Sequence, residues 1–257
     1  MNEYSQEFQR LIEDIATNCL PAVSTDCVIF GFHAGQLKVL LLRWKGIDGW
    51  SLPGGFVRLD EDLHQAAHRL LRERTGLREI FLQQFHTFGE VVRFPPIAVQ
   101  PLRDTLPVSP ESIAKLSGRT ISVGYYALVE FARANPTPDL LSAECRWWDI
   151  NEVPALLFDH NAMIKLALKT LRRQLSYQPI GYELLPEKFT MPALQQLYET
   201  ILGQPLDRRN FQKRMLGYGI LERLDERKTG GAHKAPYLYQ FNKEKYQRAL
   251  EAELLTV

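Results

Sequence analysis

The chain has 257 residues, the length of one large domain or two ordinary ones. Hydrophobic residues make up 45% and charged residues 24%, which excludes disordered, collagen-like and coiled-coil chains. A formal charge of +1 names no partner by itself, and the 3 cysteines (Cys19, Cys27 and Cys145) are too scattered for a disulfide framework or a zinc site.

The chain opens with neither a basic stretch nor an apolar run, so no secretory signal is visible and a cytoplasmic location is expected. The longest apolar runs, at 25–32 and 38–42, fall far short of the ~20 residues of a membrane helix, so no membrane partner is expected. Tyr4, Phe8, Leu11, Ile12 and Ile15 recur at helical spacing and predict an amphipathic helix over 2–17. Two β-type runs, 25–32 and 36–42, flank His33-Ala34-Gly35 and read as a hairpin. Residues 50–56 read as a turn whose Gly54 and Gly55 permit backbone geometry closed to other residues. Asp60 is the expected cap of a helix running to Arg74, with Gly76 as its stop. Strands are expected at 81–88, 120–131 and 146–149. Between the first two, residues 93–118 form a proline-rich loop, long enough to be functional or mobile.

A long helix over 160–174 leads to Pro179-Ile180-Gly181, where the domain boundary is placed. That gives an N-terminal helix in 1–20, a first domain in 21–178 and a second in 179–257. In the second, Thr190 caps a helix over 191–202 with Pro192 in its first turn, and Asp207 caps another over 208–216. Strands at 220–224 and 237–241 then flank the basic tip 228–234. Two helices joined by a tight turn and followed by such a hairpin describe a winged helix-turn-helix. Charge is uneven in the same direction: residues 205–234 carry 8 Lys/Arg against 4 Asp/Glu. Phe211 and Met215 define the buried face of the second helix. Arg209 and Lys213 then point away, Asn210 and Gln212 lie at the sides, and Arg208 and Arg214 flank them. These residue types suit base edges and phosphates in a major groove, and Lys228, His233 and Lys234 would reach backbone or minor groove.

Gly55, Glu61, Arg69, Leu71, Glu73, Gly76 and Leu77 match, without a spacing error, the motif of G, five residues, E, seven residues, R-E-U-x-E-E-x-G-U, where U is aliphatic. This resembles the Nudix box, and the resemblance implies an α/β fold, an α/β/α sandwich around a mixed sheet. In Nudix hydrolases three glutamates of R-E-x-x-E-E hold Mg²⁺ on a diphosphate-containing nucleotide. Here those positions are Leu70, Glu73 and Arg74. One carboxylate serves poorly for near-octahedral oxygen ligation. Arg74 adds a fixed cation, costing roughly 4 kcal/mol per unit of like charge at ~4 Å and an effective dielectric near 20. Ordinary hydrolysis should be lost or severely weakened, with no catalytic residue, metal or cofactor expected. Glu61 and Arg69, which brace the loop in the family, are kept. The functional expectation is a pocket that binds a phosphate- or sugar-bearing ligand through Arg74, with Arg43, Arg58 and Glu73 as further candidates.

The stretches Gly118–Leu128, Phe158-Asp159-His160, Tyr182–Thr190 and Leu206–Phe211 extend the likeness over nearly the whole chain. Together they resemble the bacterial Nudix-related transcriptional regulators, which join a Nudix effector domain to a C-terminal winged helix and bind operator DNA as homodimers. The resemblance implies a ligand-responsive regulator, expected to be a repressor. Its effector would be ADP-ribose or, as in another branch, a pentose sugar such as L-arabinose; no residue in the sequence decides between them. Two alternatives stay open: an active hydrolase of ADP-ribose-type nucleoside diphosphates using Glu73 with Glu90 or Glu61, and a winged helix that docks protein.

Overall fold

The computed structural model describes residues 17–45, 48–77, 82–93, 119–132, 136–175, 181–228 and 235–246, with isolated positions 6, 10, 13–15, 80, 134 and 248. Most of the expected N-terminal helix lies outside these residues, although Gln6, Arg10, Glu13, Asp14, Ile15, Thr17 and Asn18 are helical. The expected loop 93–118 apart from Arg93, the boundary tripeptide apart from Gly181, and the expected basic tip 228–234 apart from Lys228 also lie outside.

A seven-stranded mixed-length sheet carries the first part of the chain. Strand β1 (Cys19–His33) begins six residues before the expected run and turns directly into β2 (Gln36–Trp44). The two residues between them, Ala34 and Gly35, have φ of 49° and 76°, the left-handed pair of a two-residue hairpin turn. Residues 50–56, read from sequence as a turn, instead fall largely in β3 (Trp50–Ser51) and β4 (Gly54–Arg58), which pair with β2 and β1. Strands β5 (Leu82–Phe88) and β6 (Ile121–Glu130) pair antiparallel, and β7 (Ser142–Asp149) runs along β2. The path through the sheet is β3-β2-β1-β6-β5, with β4 on β1 and β7 on β2. Residues 27–30 and 39–41 are fully buried, which is why both strands read as continuous apolar runs and not as alternating ones.

Helix α1 (Leu63–Thr75) packs Ala66, Ala67, Leu70 and Leu71 inward. Its cap is Asp62, not Asp60. Asp62 accepts from the Gln65 amide while the Gln65 side chain accepts from the Asp62 amide, a reciprocal pair that Asp60 has no partner to form. Gly76, with φ of 72°, stops the helix as expected. Helix α2 spans His160–Gln174, as its periodicity predicts.

The chain divides into two compact units: Met1–Phe30 with Lys38–Leu128 and Ala132–Ala167, and Gly31–Leu37 with Val129–Phe131 and Leu168–Val257. In the second unit α3 (Met191–Leu202) is capped by Thr190 and ends at Gly203, and α4 (Arg208–Gly217) is capped by Asp207. The wing has three strands where sequence spacing gave two. Strand β8 (Phe189–Thr190) joins β9 (Leu221–Arg227) and β10 (Tyr237–Phe241) in the order β8-β10-β9. Strand β8 is too short to show a period, and β9 runs over 221–227 where 220–224 was expected. Leu194, Leu197, Tyr198 and Ile201 of α3 form the core with Phe211 and Met215.

Candidate functional site

The loop and helix that carry the Nudix-like spacing are held together by one guanidinium. Arg69 donates Nε to Glu61 Oε2 at 2.8 Å, Nη2 to Glu61 Oε1 at 2.5 Å and to the Phe56 carbonyl at 3.0 Å, and Nη1 to Glu73 Oε2 at 2.9 Å. The Arg58 amide adds a bond to Glu61 Oε1 at 2.8 Å. Arg69 holds the Glu61 carboxyl below the usual range; burial opposes this and the Arg58 amide reinforces it. Burial alone would lower Arg69, but its bonds to Glu61 and Glu73 outweigh burial and raise it.

Gly54 and Gly55 are required by close approach and not by unusual backbone angles, since neither has positive φ. A Cβ on Gly54 would lie 2.0 Å from Asp26 Oδ1, and one on Gly55 would lie 2.6 Å from Leu70 Cδ2. Leu70, where the family has a glutamate, is 4% exposed and has become part of the core beneath the loop. Arg74, at another lost glutamate, pairs through Nη1 with Asp139 at 2.5 Å and donates Nε to the Gly54 carbonyl at 3.1 Å. Glu73 is half-exposed and pairs with Arg58 at 3.6 Å as well as with Arg69. Among the described residues, no three His, Cys, Asp or Glu side chains gather to hold a metal ion. The residues present do not fit a magnesium cage: one acid of the three is left, flanked by two arginines, and a third guanidinium stands where a ligand is needed. Of the predicted ligand residues, Arg58 and Glu73 meet each other, and Arg74 lies beside Gly55, with Nη2 3.7 Å from where a Cβ there would stand. Arg43, on β2, pairs instead with Asp48 at 3.5 Å.

Sequence reasoning did not mark the buried polar cluster under this loop. His160 Nδ1 accepts from the Leu52 amide at 2.9 Å, so its proton sits on Nε2, 3.5 Å from Asp26 Oδ1. Asp26 Oδ2 accepts from Ser122 Oγ. Burial pushes His160 below its ordinary value, with Asp26 pulling the other way. Asp159 grips Arg93 with two bonds of 2.7 and 2.9 Å. Phe158, with φ of 58°, is held in the left-handed region immediately before this pair. These residues are far apart in sequence, so only the Phe158-Asp159-His160 run carried a signal.

In the second unit, Arg208, Arg209, Asn210, Lys213 and Arg214 are exposed on α4 and Gln212 is half-buried, while Phe211 and Met215 are buried. Asp207 Oδ1 accepts from the Asn210 amide at 2.8 Å, fixing the first turn. Arg214 lies 5.9 Å from the Phe211 ring centre and 6.0 Å from that of Tyr198, so it also packs the helix. On the wing, Lys228 is exposed, whereas His233 and Lys234 lie outside the described residues. Arg227 and Arg223 sit 3.9 and 4.7 Å from the Tyr237 ring centre, and Arg227 also donates to the Tyr237 hydroxyl at 2.6 Å. Sequence reading passed over both, although their two-residue alternation with Asp225 on β9 was available as a signal.

A Nudix domain with a filled-in metal site, followed by a winged helix with a cationic outer helix face, defines a class: the Nudix-related DNA-binding regulators. The NUDIX domain profile matches residues 20–168, and that of the NrtR DNA-binding winged helix domain matches residues 181–241. An Acinetobacter baylyi protein named ADPR responsive transcriptional repressor NtrR is 31% identical over 233 residues, 88% of this chain and 84% of its own. The crystal structure of Shewanella oneidensis NrtR complexed with a 27mer DNA superposes with a TM-score of 0.68 at 26% identity, covering 88% of this chain and 95% of that one. An ADP-ribose pyrophosphatase of Methanocaldococcus jannaschii is 29% identical over 150 residues, 56% of this chain and 72% of its own. The chain belongs to the Nudix family, among the NrtR-type transcriptional regulators.

Proposed function

We propose that this protein is a DNA-binding transcriptional repressor whose Nudix domain senses an ADP-ribose-type nucleotide without cleaving it. The observation that carries the reading is the replacement of the metal-site acids. Leu70 is packed into the core, and Arg74 is a cation oriented by Asp139 and the Gly54 carbonyl. Those two bonds leave Arg74 Nη2 to reach a ligand oxygen, and Arg58 and Arg43, both about half-exposed, are the further candidates with Glu73. ADP-ribose is favoured over L-arabinose because the Acinetobacter relative is named for its response to ADPR, and because arginines suit a diphosphate better than a neutral sugar.

On the DNA side, Arg209, Lys213, Asn210 and Gln212 face the bases, Arg208 and Arg214 the phosphates, and Lys228, His233 and Lys234 the flanking backbone. The protein acts as a homodimer in the cytoplasm, one α4 per half-site. Among the described residues no helix is long and apolar enough to cross a membrane.

Selection of the full chain against a random-sequence duplex library tests the reading. Enrichment of one defined site, released by ADP-ribose but not by L-arabinose, is expected. Recovery of unenriched sequence overturns the DNA assignment, and release by arabinose alone overturns the ligand. Hydrolysis of ADP-ribose with Mg²⁺, abolished by Glu73→Gln, would overturn sensing without cleavage.

A further inference from the structure

Helix α1 carries a second pair of chemically active side chains that plays no part in the loop described above. His64 and His68 are four residues apart and therefore share one flank of the helix, away from the inward face of Ala66, Ala67, Leu70 and Leu71. Their Nε2 atoms converge to 3.1 Å, with the rings at 80° and their centres 4.5 Å apart. We propose that His64 and His68 form a bidentate site for a divalent first-row transition-metal ion of the Zn²⁺, Ni²⁺ and Cu²⁺ class.

The geometry suits chelation. With metal–nitrogen bonds of about 2.05 Å, an ion equidistant from two nitrogens at this spacing subtends roughly 100° between them, intermediate between octahedral and tetrahedral angles. Without an ion, two neutral imidazoles can share that gap only if one presents its proton to the other. An ion lets both present lone pairs, and the metallated nitrogen on each ring becomes Nε2.

The identity of the ion follows from the donors. Imidazole binds Zn²⁺, Ni²⁺ and Cu²⁺, while Mg²⁺ and Ca²⁺ require oxygen. Among the described residues, no third His, Cys, Asp or Glu side chain joins the pair as a ligand. The remaining positions are therefore left to water, and the site is open, unlike a closed four-ligand structural zinc centre. The proposed nucleotide contacts at Arg58, Glu73 and Arg74 use neither histidine, so the proposal does not depend on them.

Isothermal titration of the full chain with ZnCl₂ and NiCl₂ at neutral pH tests this. One saturable equivalent is expected, with Ni²⁺ and Zn²⁺ both bound and MgCl₂ unable to compete. His64→Ala and His68→Ala should each weaken binding at least tenfold, because either change leaves a single imidazole. His64 is exposed and His68 half-buried, and an unchanged melting temperature in the metal-free variants shows that the fold is kept. With Cu²⁺, electron paramagnetic resonance should show coupling to two imidazole nitrogens in the parent chain and to fewer in either variant. Binding that survives the double substitution unchanged overturns the proposal, and so does the lack of saturable binding of all three ions.

Discussion

At the scale of single residues, the first domain keeps the Nudix bracing pair and has converted the metal positions into structure. Glu61 accepts two bonds from Arg69 and one from the Arg58 amide, so Glu61→Gln should cost about 2 kcal/mol, a typical value for hydrogen bonds to a charged group. The folded Glu61 pKa is depressed, so its contribution is fully present above the unfolded value near 4.3 and is lost as pH falls through the folded value. Unfolding at graded pH should therefore show the parent chain losing more stability below about pH 4.5 than Glu61→Gln does; equal losses would contradict the pairing. Arg74 has a structural duty as well as the proposed ligand one. Both Arg74 and Asp139 are largely buried, and Arg74→Ala strands the carboxylate, which should cost about 3 kcal/mol. Arg74→Ala/Asp139→Ala should recover part of that stability but none of the ligand affinity. A double variant no more stable than the single one would argue against the pair as the source of the loss. The motif's spacing made Leu70 and Arg74 visible as departures. Their burial and the Asp139 partner 65 positions away from Arg74 are products of the fold, which no local pattern encodes.

The elements show where periodicity carries information and where it stops. Helices α2, α3 and α4 follow from their repeats and caps almost to the residue, because Thr190 and Asp207 each offer an acceptor to the amide three residues on. Asp60, the cap expected from the sequence, gives way to Asp62 in the structure. Only the reciprocal bond with Gln65, and the removal of Glu61 to Arg69, separate them. Short strands such as β3 and β8, each two residues long, are made by their neighbours and leave no pattern of their own. The histidine pair on α1 drew no sequence signal, because two ligands without a third do not resemble a metal motif; the convergence of their nitrogens in the fold carries the proposal. For α4 the cap and the surface should separate cleanly. Asp207→Ala should lower the stability of the winged helix by about 1 kcal/mol through its unpaired first turn. Arg209→Ala should leave the melting temperature unchanged and weaken DNA binding by 1–3 kcal/mol at a base contact, roughly. Arg214→Ala should do both, since it packs on Phe211 and Tyr198. An Arg214→Ala chain with unaltered thermal unfolding would remove its packing role.

For the whole molecule, the proposed function is a coupling between two anionic ligands of different size: a diphosphate at the Nudix loop and a duplex at α4. Coupling of binding free energies is reciprocal. If ADP-ribose weakens operator affinity by some factor, saturating duplex must weaken ADP-ribose by the same factor, typically about 5–150-fold. This can be measured by titrating ADP-ribose into the full chain alone and then into its complex with duplex. The electrostatic share of DNA binding can be removed independently of that coupling. Each phosphate contact contributes about 0.9 to the slope of log affinity against log salt, so Lys228→Ala should flatten the slope by about that amount across all sequences. The reciprocal factor should stay the same, because the substitution acts on duplex affinity in both states of the protein alike. Arg74→Ala should behave in the opposite way, leaving the salt slope intact while the coupling disappears with the ligand. A chain in which ADP-ribose binds equally well with and without duplex has no differential affinity for two states. It would be a DNA-binding protein that carries a nucleotide site, and not a sensor.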